Sequence, residues 1–155
     1  MRILCECLGN ICRSPTAEAA IREALAEAGL DGAVDVESAG PGSWHVGSPP
    51  DRRMAKAARA AGLELDGAAR QVEPGDFESF DLILAMDERN EADLLALAPD
   101  PESRAKVRRF RDYEPGADAP GVPDPYYEGN FELIVDIARA GAQGVVEAVR
   151  ADLDP

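Results

Sequence analysis

The amino-acid sequence predicts a three-layer α/β fold in which helices cover both faces of a parallel sheet. Strand-like and helix-like segments alternate along the chain, which is the order of β-α-β units. The apolar run at 82–86, Leu-Ile-Leu-Ala-Met, is typical of a strand that is buried on both faces. The chain has 155 residues, of which 45% are apolar, and this size and composition fit a single domain over residues 1–155 with one core.

Four strands and four helices are predicted in alternating order. The strands cover residues 2–7, 34–38, 81–86 and 106–110, and the charges of the last strand place it near an edge of the sheet. The helices cover residues 15–28, 50–61, 87–98 and 130–153. Pro15 suits a first helical position, and Gly29 and Gly62 suit helix ends. Residues 112–129 are rich in Pro, Gly, Asp and Tyr and form a long loop.

Composition argues against several functional classes. The net charge of −14 makes nucleic acid an improbable partner, because phosphate backbones are bound by basic surfaces. The sequence has neither an apolar stretch of membrane-spanning length nor a signal-peptide pattern, so we expect a cytoplasmic protein with no membrane partner. The three cysteines fall at positions 5, 7 and 12, which fits reduced thiols better than a disulfide framework or a structural zinc site.

A candidate anion-binding loop follows the first predicted strand. It reads Cys-Leu-Gly-Asn-Ile-Cys-Arg-Ser-Pro over residues 7–15 and leads into the first predicted helix. Such a turn points backbone N–H groups and the positive end of the helix dipole at one spot. Gly9 and Asn10 tolerate the backbone conformation that lets successive amides curve inward, and Arg13 supplies a planar guanidinium for two phosphate oxygens. The loop lacks the glycine and lysine patterns of ATP-binding and NAD-binding loops.

Cys7 opens this loop and is a candidate nucleophile. The amides, the helix dipole and Arg13 should stabilise its thiolate, and Ser14 is placed to hydrogen-bond to the sulfur. A phosphocysteine route also needs an acid to protonate the leaving phenolate and a base to activate water. Asp124 lies between two prolines in a restricted loop and is a candidate for both steps, although the segment alone also fits an ordinary turn.

The loop at residues 7–15, together with Asp-Pro-Tyr-Tyr at 124–127, resembles the low-molecular-weight protein tyrosine phosphatase family. The resemblance covers nearly the whole chain in the expected order. It implies a four-stranded parallel sheet with flanking helices, a phosphate loop after the first strand, and no metal or cofactor. Further matching segments are Ser38-Ala39-Gly40, Trp44-His45, Ala69-Arg70-Gln71 and Ala85-Met86-Asp87.

The resemblance also implies roles for individual residues. Cys7 would be the nucleophile, Arg13 the phosphate clamp and Asp124 the acid and then the base. Asn10 and Ser38 would hold the loop in shape. Phosphotyrosine-bearing proteins would be the substrates and inorganic phosphate the product; isoleucine rather than threonine at position 11 favours phosphotyrosine over phosphoarginine. The expected substrate-binding residues are Leu8, Gly9, Asn10, Ile11, Cys12 and Ser14 of the loop, with Leu8, Trp44 and Tyr126 lining a slot for the phenyl ring.

Two positions depart from the family pattern. Glu6 stands where an aliphatic residue is usual, and on a strand it faces away from Cys7, so it needs a partner if it is buried. Gly67 stands where some relatives carry a histidine that supports the loop asparagine, so that contact must be missing or replaced.

Other functions stay open at this point. Arsenate reduction uses a similar loop, but its thioredoxin-coupled versions need cysteines after Cys12, and the chain has none. A non-catalytic phosphate-binding or phosphotyrosine-binding module would need neither Cys7 nor Asp124. A phosphocarrier domain, which holds phosphate on a cysteine, would lose that phosphate because Asp124 activates water. Cys12 suggests a reversible disulfide with Cys7, and Tyr126 and Tyr127 are candidate phosphorylation sites. The basic cluster within residues 104–111 is either a solvated edge or a surface that steers acidic phosphopeptides.

Overall fold

The computed structural model describes residues 1–43, 45–125 and 129–153. Its four strands form one parallel sheet in the order β2-β1-β3-β4. They are β1 (Arg2–Glu6), β2 (Asp35–Ala39), β3 (Leu82–Ala85) and β4 (Val107–Arg109). The predicted fold class is confirmed, and the strand at 106–110 does lie at an edge of the sheet.

The helices flank this sheet, and the four predicted ones are present within a few residues of their expected bounds. They are α1 (Arg13–Glu27), α2 (Arg52–Ala60), α4 (Glu88–Leu97) and α6 (Phe131–Leu153). Two short helices, α3 (Asp76–Ser79) and α5 (Pro101–Ala105), and a 3₁₀ turn at Phe110–Tyr113 were not predicted. Each has five residues or fewer, which is too short for a helical apolar period to be read from sequence.

The sheet separates two apolar cores because successive strand residues point to opposite faces. On β1, Ile3 and Cys5 belong to the larger core, which α1 and α6 cover, whereas Leu4 belongs to the smaller one. Phe77 of α3 and Leu94 of α4 complete the smaller core. Glu6 follows Leu4 by two residues and therefore lies on the smaller-core side of the sheet.

The strand order determines where a site can form. β1 lies between β2 and β3, and its last residue, Glu6, pairs with Ala39 on one side and Ala85 on the other. The segments that follow β1 and β3 therefore leave the sheet side by side, at the edge where parallel α/β sheets bind ligands. Among the described residues, no helix is both long and apolar enough to cross a membrane.

Candidate active site

The Cys7 sulfur lies at the buried floor of the loop between β1 and α1. The Ser14 amide donates to Sγ at 3.3 Å, and Ser14 Oγ lies 3.1 Å from it. Asn10 Nδ2 donates to the same Oγ at 3.0 Å, which leaves the hydroxyl proton of Ser14 free to point at the sulfur. Two donors thus converge on Cys7, an arrangement that favours a thiolate.

Asn10 holds the loop in shape from inside. Its φ of 56° lies in the left-handed region, which asparagine tolerates better than most residues. Its Oδ1 accepts a hydrogen bond from the Arg70 amide at 2.9 Å, and this bond fixes the orientation of the side-chain amide. Gly67 has no side chain that could support Asn10, and the backbone amide of Arg70 provides this support instead.

The start of α1 is open to an anion. Cys12 is the residue before the helix, no side chain among the described residues caps this end, and the first turn contains no acidic residue. The first amides of a helix need partners, and a phosphate at this position would supply them. The side chains of Ile11 and Cys12 are buried in the larger core.

Arg13 is the buried cation of the site. Its side chain is only 3% exposed, and Nη1 donates to Asp87 Oδ2 at 2.7 Å and to the Val122 carbonyl at 2.9 Å. Burial alone would lower the pKa of Arg13, but Cys7 and the carboxylates of Asp87 and Asp124 outweigh it and raise the pKa above its usual value. The guanidinium therefore stays charged and is held in one orientation.

Asp124 reaches the site because its loop is anchored to the end of β3. The Val122 amide donates to the Met86 carbonyl at 2.7 Å, and the Val122 carbonyl accepts from Arg13. Asp124 Oδ2 lies 3.7 Å from Arg13 Nη2, and the Asp124 side chain is 36% exposed. A carboxyl group that is part exposed and close to the loop can exchange protons with both a leaving group and water.

Arg111 fastens the rest of the long loop. Its buried guanidinium donates to Glu114 and Asp118, each at 2.8 Å, and to the Gly121 carbonyl at 3.0 Å. Arg109 in the same segment lies within 4 Å of three carboxylates. Both arginines are engaged within the chain, which favours the structural interpretation of the basic cluster over peptide steering.

Close packing around the loop limits which residues fit beside it. A Cβ on Gly40 would lie 2.9 Å from the Cys7 carbonyl oxygen, and one on Gly9 would lie 3.1 Å from the His45 ring. These contacts fix the backbone of Cys7 on one side and bring His45 over the loop on the other. The Cys7 amide donates to the Ala39 carbonyl at 3.3 Å and so extends the β1–β2 ladder to the nucleophile.

A model of the family described as low molecular weight phosphotyrosine protein phosphatase matches residues 2–154. The chain belongs to this family. The low molecular weight protein-tyrosine-phosphatase YfkJ of Bacillus subtilis is 40% identical over 151 residues, which are 97% of this chain and 96% of that protein. The low molecular weight phosphotyrosine protein phosphatase of Schizosaccharomyces pombe is 41% identical over 131 residues, which are 84% of this chain and 83% of the relative.

Solved structures agree with this family assignment. The crystal structure of a protein tyrosine phosphatase from Entamoeba histolytica, with Hepes in its active site, has a TM-score of 0.94 and 34% identity and covers 98% of each chain. The crystal structure of YfkJ has a TM-score of 0.92 and 39% identity, covering 98% of this chain and 96% of that one. The predicted family and enzyme class are confirmed: the chain is a cysteine-dependent protein tyrosine phosphatase.

Several residue assignments of the phosphatase stay predictions. Trp44, Tyr126 and Tyr127 lie outside the described residues, so the slot that Trp44 and Tyr126 are predicted to line is not described. Leu8 is a half-buried residue of the loop. The hydrogen bonds of the Asn10 side chain go to Ser14 and Arg70, and support of the loop by Ser38 stays a prediction.

Two residues that organise the phosphatase site were not predicted from the sequence. Asp87 appeared only within a matching segment, yet it both orients Arg13 and caps α4 by accepting from the Asn90 amide at 2.7 Å. An aspartate directly after a buried strand and before a helix was the available signal. Arg111 was grouped with exposed basic residues, and no sequence pattern distinguished its buried guanidinium.

Proposed function

We propose that this phosphatase hydrolyses phosphotyrosine in proteins, and small aryl phosphates, through a phosphocysteine formed on Cys7. The observation that carries the proposal is the convergence of two Ser14 donors on the Cys7 sulfur, directly below the open end of α1 and beside Arg13. A phosphate seated on the loop amides would face the sulfur. The product would be inorganic phosphate.

In the first step the Cys7 thiolate attacks phosphorus, and the bond from phosphorus to the phenolic oxygen breaks. Loop amides and the Arg13 guanidinium stabilise the negative charge on the transferring oxygens. Asp124 gives its proton to the departing tyrosine oxygen. Ser14 stabilises the sulfur as a thiolate, which also makes it a better leaving group in the second step.

In the second step water attacks the phosphocysteine, and the bond from sulfur to phosphorus breaks. Asp124, now a carboxylate, takes a proton from that water. Its separation of 3.7 Å from Arg13, the proposed phosphate clamp, supports this role. This position suits one group acting on the leaving oxygen and then on the incoming water.

We also propose that residues 1–155 work as one catalytic domain in the cytoplasm. The site combines residues 7–14 with Asp87 and Asp124, so it draws on most of the chain. The three cysteines of the chain are unpaired thiols, as is usual in the reducing cytoplasm.

The test is hydrolysis of phenyl phosphate, whose leaving phenolate needs a proton, across pH without added metal. Cys7→Ser should abolish activity. Wild type should give a bell-shaped profile, and Asp124→Ala should lose its alkaline limb because the proton donor is gone. Full activity in Cys7→Ser, or no activity in folded wild type, would refute the phosphocysteine mechanism and favour a binding module.

A further inference from the structure

Glu6 is a buried acid without a partner, and it lies next to the active site. It directly precedes Cys7 and is 0% exposed, and neither of its carboxyl oxygens has a hydrogen-bond partner among the described residues. Burial, reinforced by Asp93 and Asp87 and opposed by Arg13, raises the pKa of Glu6 to about 8. A buried polar group of this kind is costly unless something pairs with it.

Glu6 lines a cavity of 380 Å³ between the end of β1 and α4. Small-molecule pockets span about 300–1,000 Å³, so the cavity falls within that range. Its wall is mainly aliphatic, which suits an apolar stem, and its polar groups are few. The aliphatic side chains are Leu8, Pro41, Val72, Leu94, Ala96 and Leu97, and the other polar ones are Gln71, Arg89 and Asp93.

The charges around this cavity favour a cation. Asp93 is exposed on its lining, and Asp87 adds a second negative charge nearby, while the positive charge of Arg13 is already held by Asp87. Of the described residues that line the cavity, Arg89 alone is a cation, and it is exposed rather than buried with Glu6. Gln71 donates to the Pro41 carbonyl at 3.0 Å, so its amide group is already engaged.

We propose that this cavity is a subsite for a slim cation on an aliphatic stem, an alkylguanidinium or alkylammonium group whose head pairs with Glu6. The stem would lie against Leu8 and Leu94. An arginine or lysine of a phosphoprotein substrate carries such a group, and so does a free small amine. The substrate source rests on the proposed function, since Leu8 would then contact both the phenyl ring and the basic side chain.

Binding at this subsite is coupled to proton release. Below pH 8 the empty site holds Glu6 as a neutral acid, and pairing with a cation stabilises the carboxylate. The proton passes to the buffer, so up to one proton should be released for each cation bound.

Calorimetry with n-butylguanidinium, and with neutral n-butylurea as its matched control, tests the subsite without any catalysis. Wild type should bind the cation with proton release and should not bind the urea comparably. Glu6→Gln should weaken cation binding by about tenfold or more, the loss expected for a charge-assisted hydrogen bond. Glu102→Gln, the same change at an exposed position on α5, should behave as wild type, and Arg89→Gln should bind more tightly. Equal binding of cation and urea, or full binding by Glu6→Gln, would overturn the proposal.

Phosphotyrosine peptides with lysine or norleucine at each flanking position distinguish the two sources. A preference of kcat/KM for lysine at one position, lost in Glu6→Gln, identifies a substrate subsite. Cation binding without any lysine preference identifies a site for a free amine. If no phosphopeptide is hydrolysed, the proposed function fails, and the calorimetry still decides the subsite. Absence of both cation binding and lysine preference would overturn the inference.

Discussion

Replacing Glu6 by glutamine keeps the shape of a buried side chain and removes its ability to ionise. In the folded protein the pKa of Glu6 is about 8, against an ordinary value of 4.5, chiefly because the carboxyl is buried. Below pH 4.5 the group is protonated in both folded and unfolded chains. As the pH rises from 4.5 toward 8, the unfolded chain loses the proton while the folded chain keeps it, so stability falls.

The magnitude follows from that difference in pKa. Each pH unit above the unfolded pKa costs about 1.4 kcal/mol, so wild type at about pH 7.5 carries a penalty of about 4 kcal/mol from this group. Glu6→Gln should recover most of it. In a chain of this size each kcal/mol shifts Tm by about 2–4 °C, so Tm should rise by roughly 8–16 °C. At about pH 5 the two proteins should differ by less than about 1 kcal/mol.

Urea titrations at these two pH values measure the difference in the free energy of unfolding between wild type and Glu6→Gln. Both pH values lie above the isoelectric point of about 4.4, the pH at which the protein is least soluble. Glu102→Gln is the control, because it makes the same change at an exposed position on α5. That variant should not be stabilised at the higher pH. A Glu6→Gln effect of equal size at both pH values, or destabilisation at the higher one, would show that a raised pKa of Glu6 does not cost stability.

Three further predictions concern the site and its supports. Asp87→Asn keeps the helix cap but loses the charge that holds Arg13, so kcat/KM for an aryl phosphate should fall by about tenfold or more; unchanged kinetics would contradict this role. Gly40→Ala puts a Cβ 2.9 Å from the Cys7 carbonyl and should lower the free energy of unfolding by about 1–3 kcal/mol, whereas an unchanged urea midpoint would contradict the close packing. Arg111→Met leaves Glu114 unpaired and frees the loop that carries Asp124, so limited proteolysis within residues 114–121 should accelerate and kcat should fall. Wild-type rates of both proteolysis and turnover would show that Arg111 does not hold this loop.

The parts of the site that are local in sequence could be predicted from it. Cys7, Asn10, Arg13 and Ser14 lie within one strand–loop–helix turn, and the backbone geometry of that turn brings them together. The apolar run of β3 and the long α6 were likewise evident, because each carries its burial pattern within one continuous segment.

Contacts between distant segments could not be predicted in the same way. The Arg13–Asp87 pair joins residues 74 positions apart and exists because β1 and β3 are neighbours in the sheet. Glu6 was expected to find a partner if it was buried, yet the structure provides none among its described residues. That outcome depends on which side chains α4 presents to the end of β1, and no local pattern in the sequence specifies it.

In the proposed mechanism the phosphoryl group is bound covalently to Cys7 before it is released as phosphate. Asp124→Ala should slow hydrolysis of the intermediate more than its formation from para-nitrophenyl phosphate, because nitrophenolate leaves without a proton and water needs a base. Rapid quenching followed by intact-mass and peptide mass spectrometry should then find one phosphoryl group on Cys7 in Asp124→Ala and none in Cys7→Ser. Turnover by Asp124→Ala without any phosphorylated Cys7, or a phosphoryl group on another residue, would contradict a phosphocysteine intermediate on Cys7.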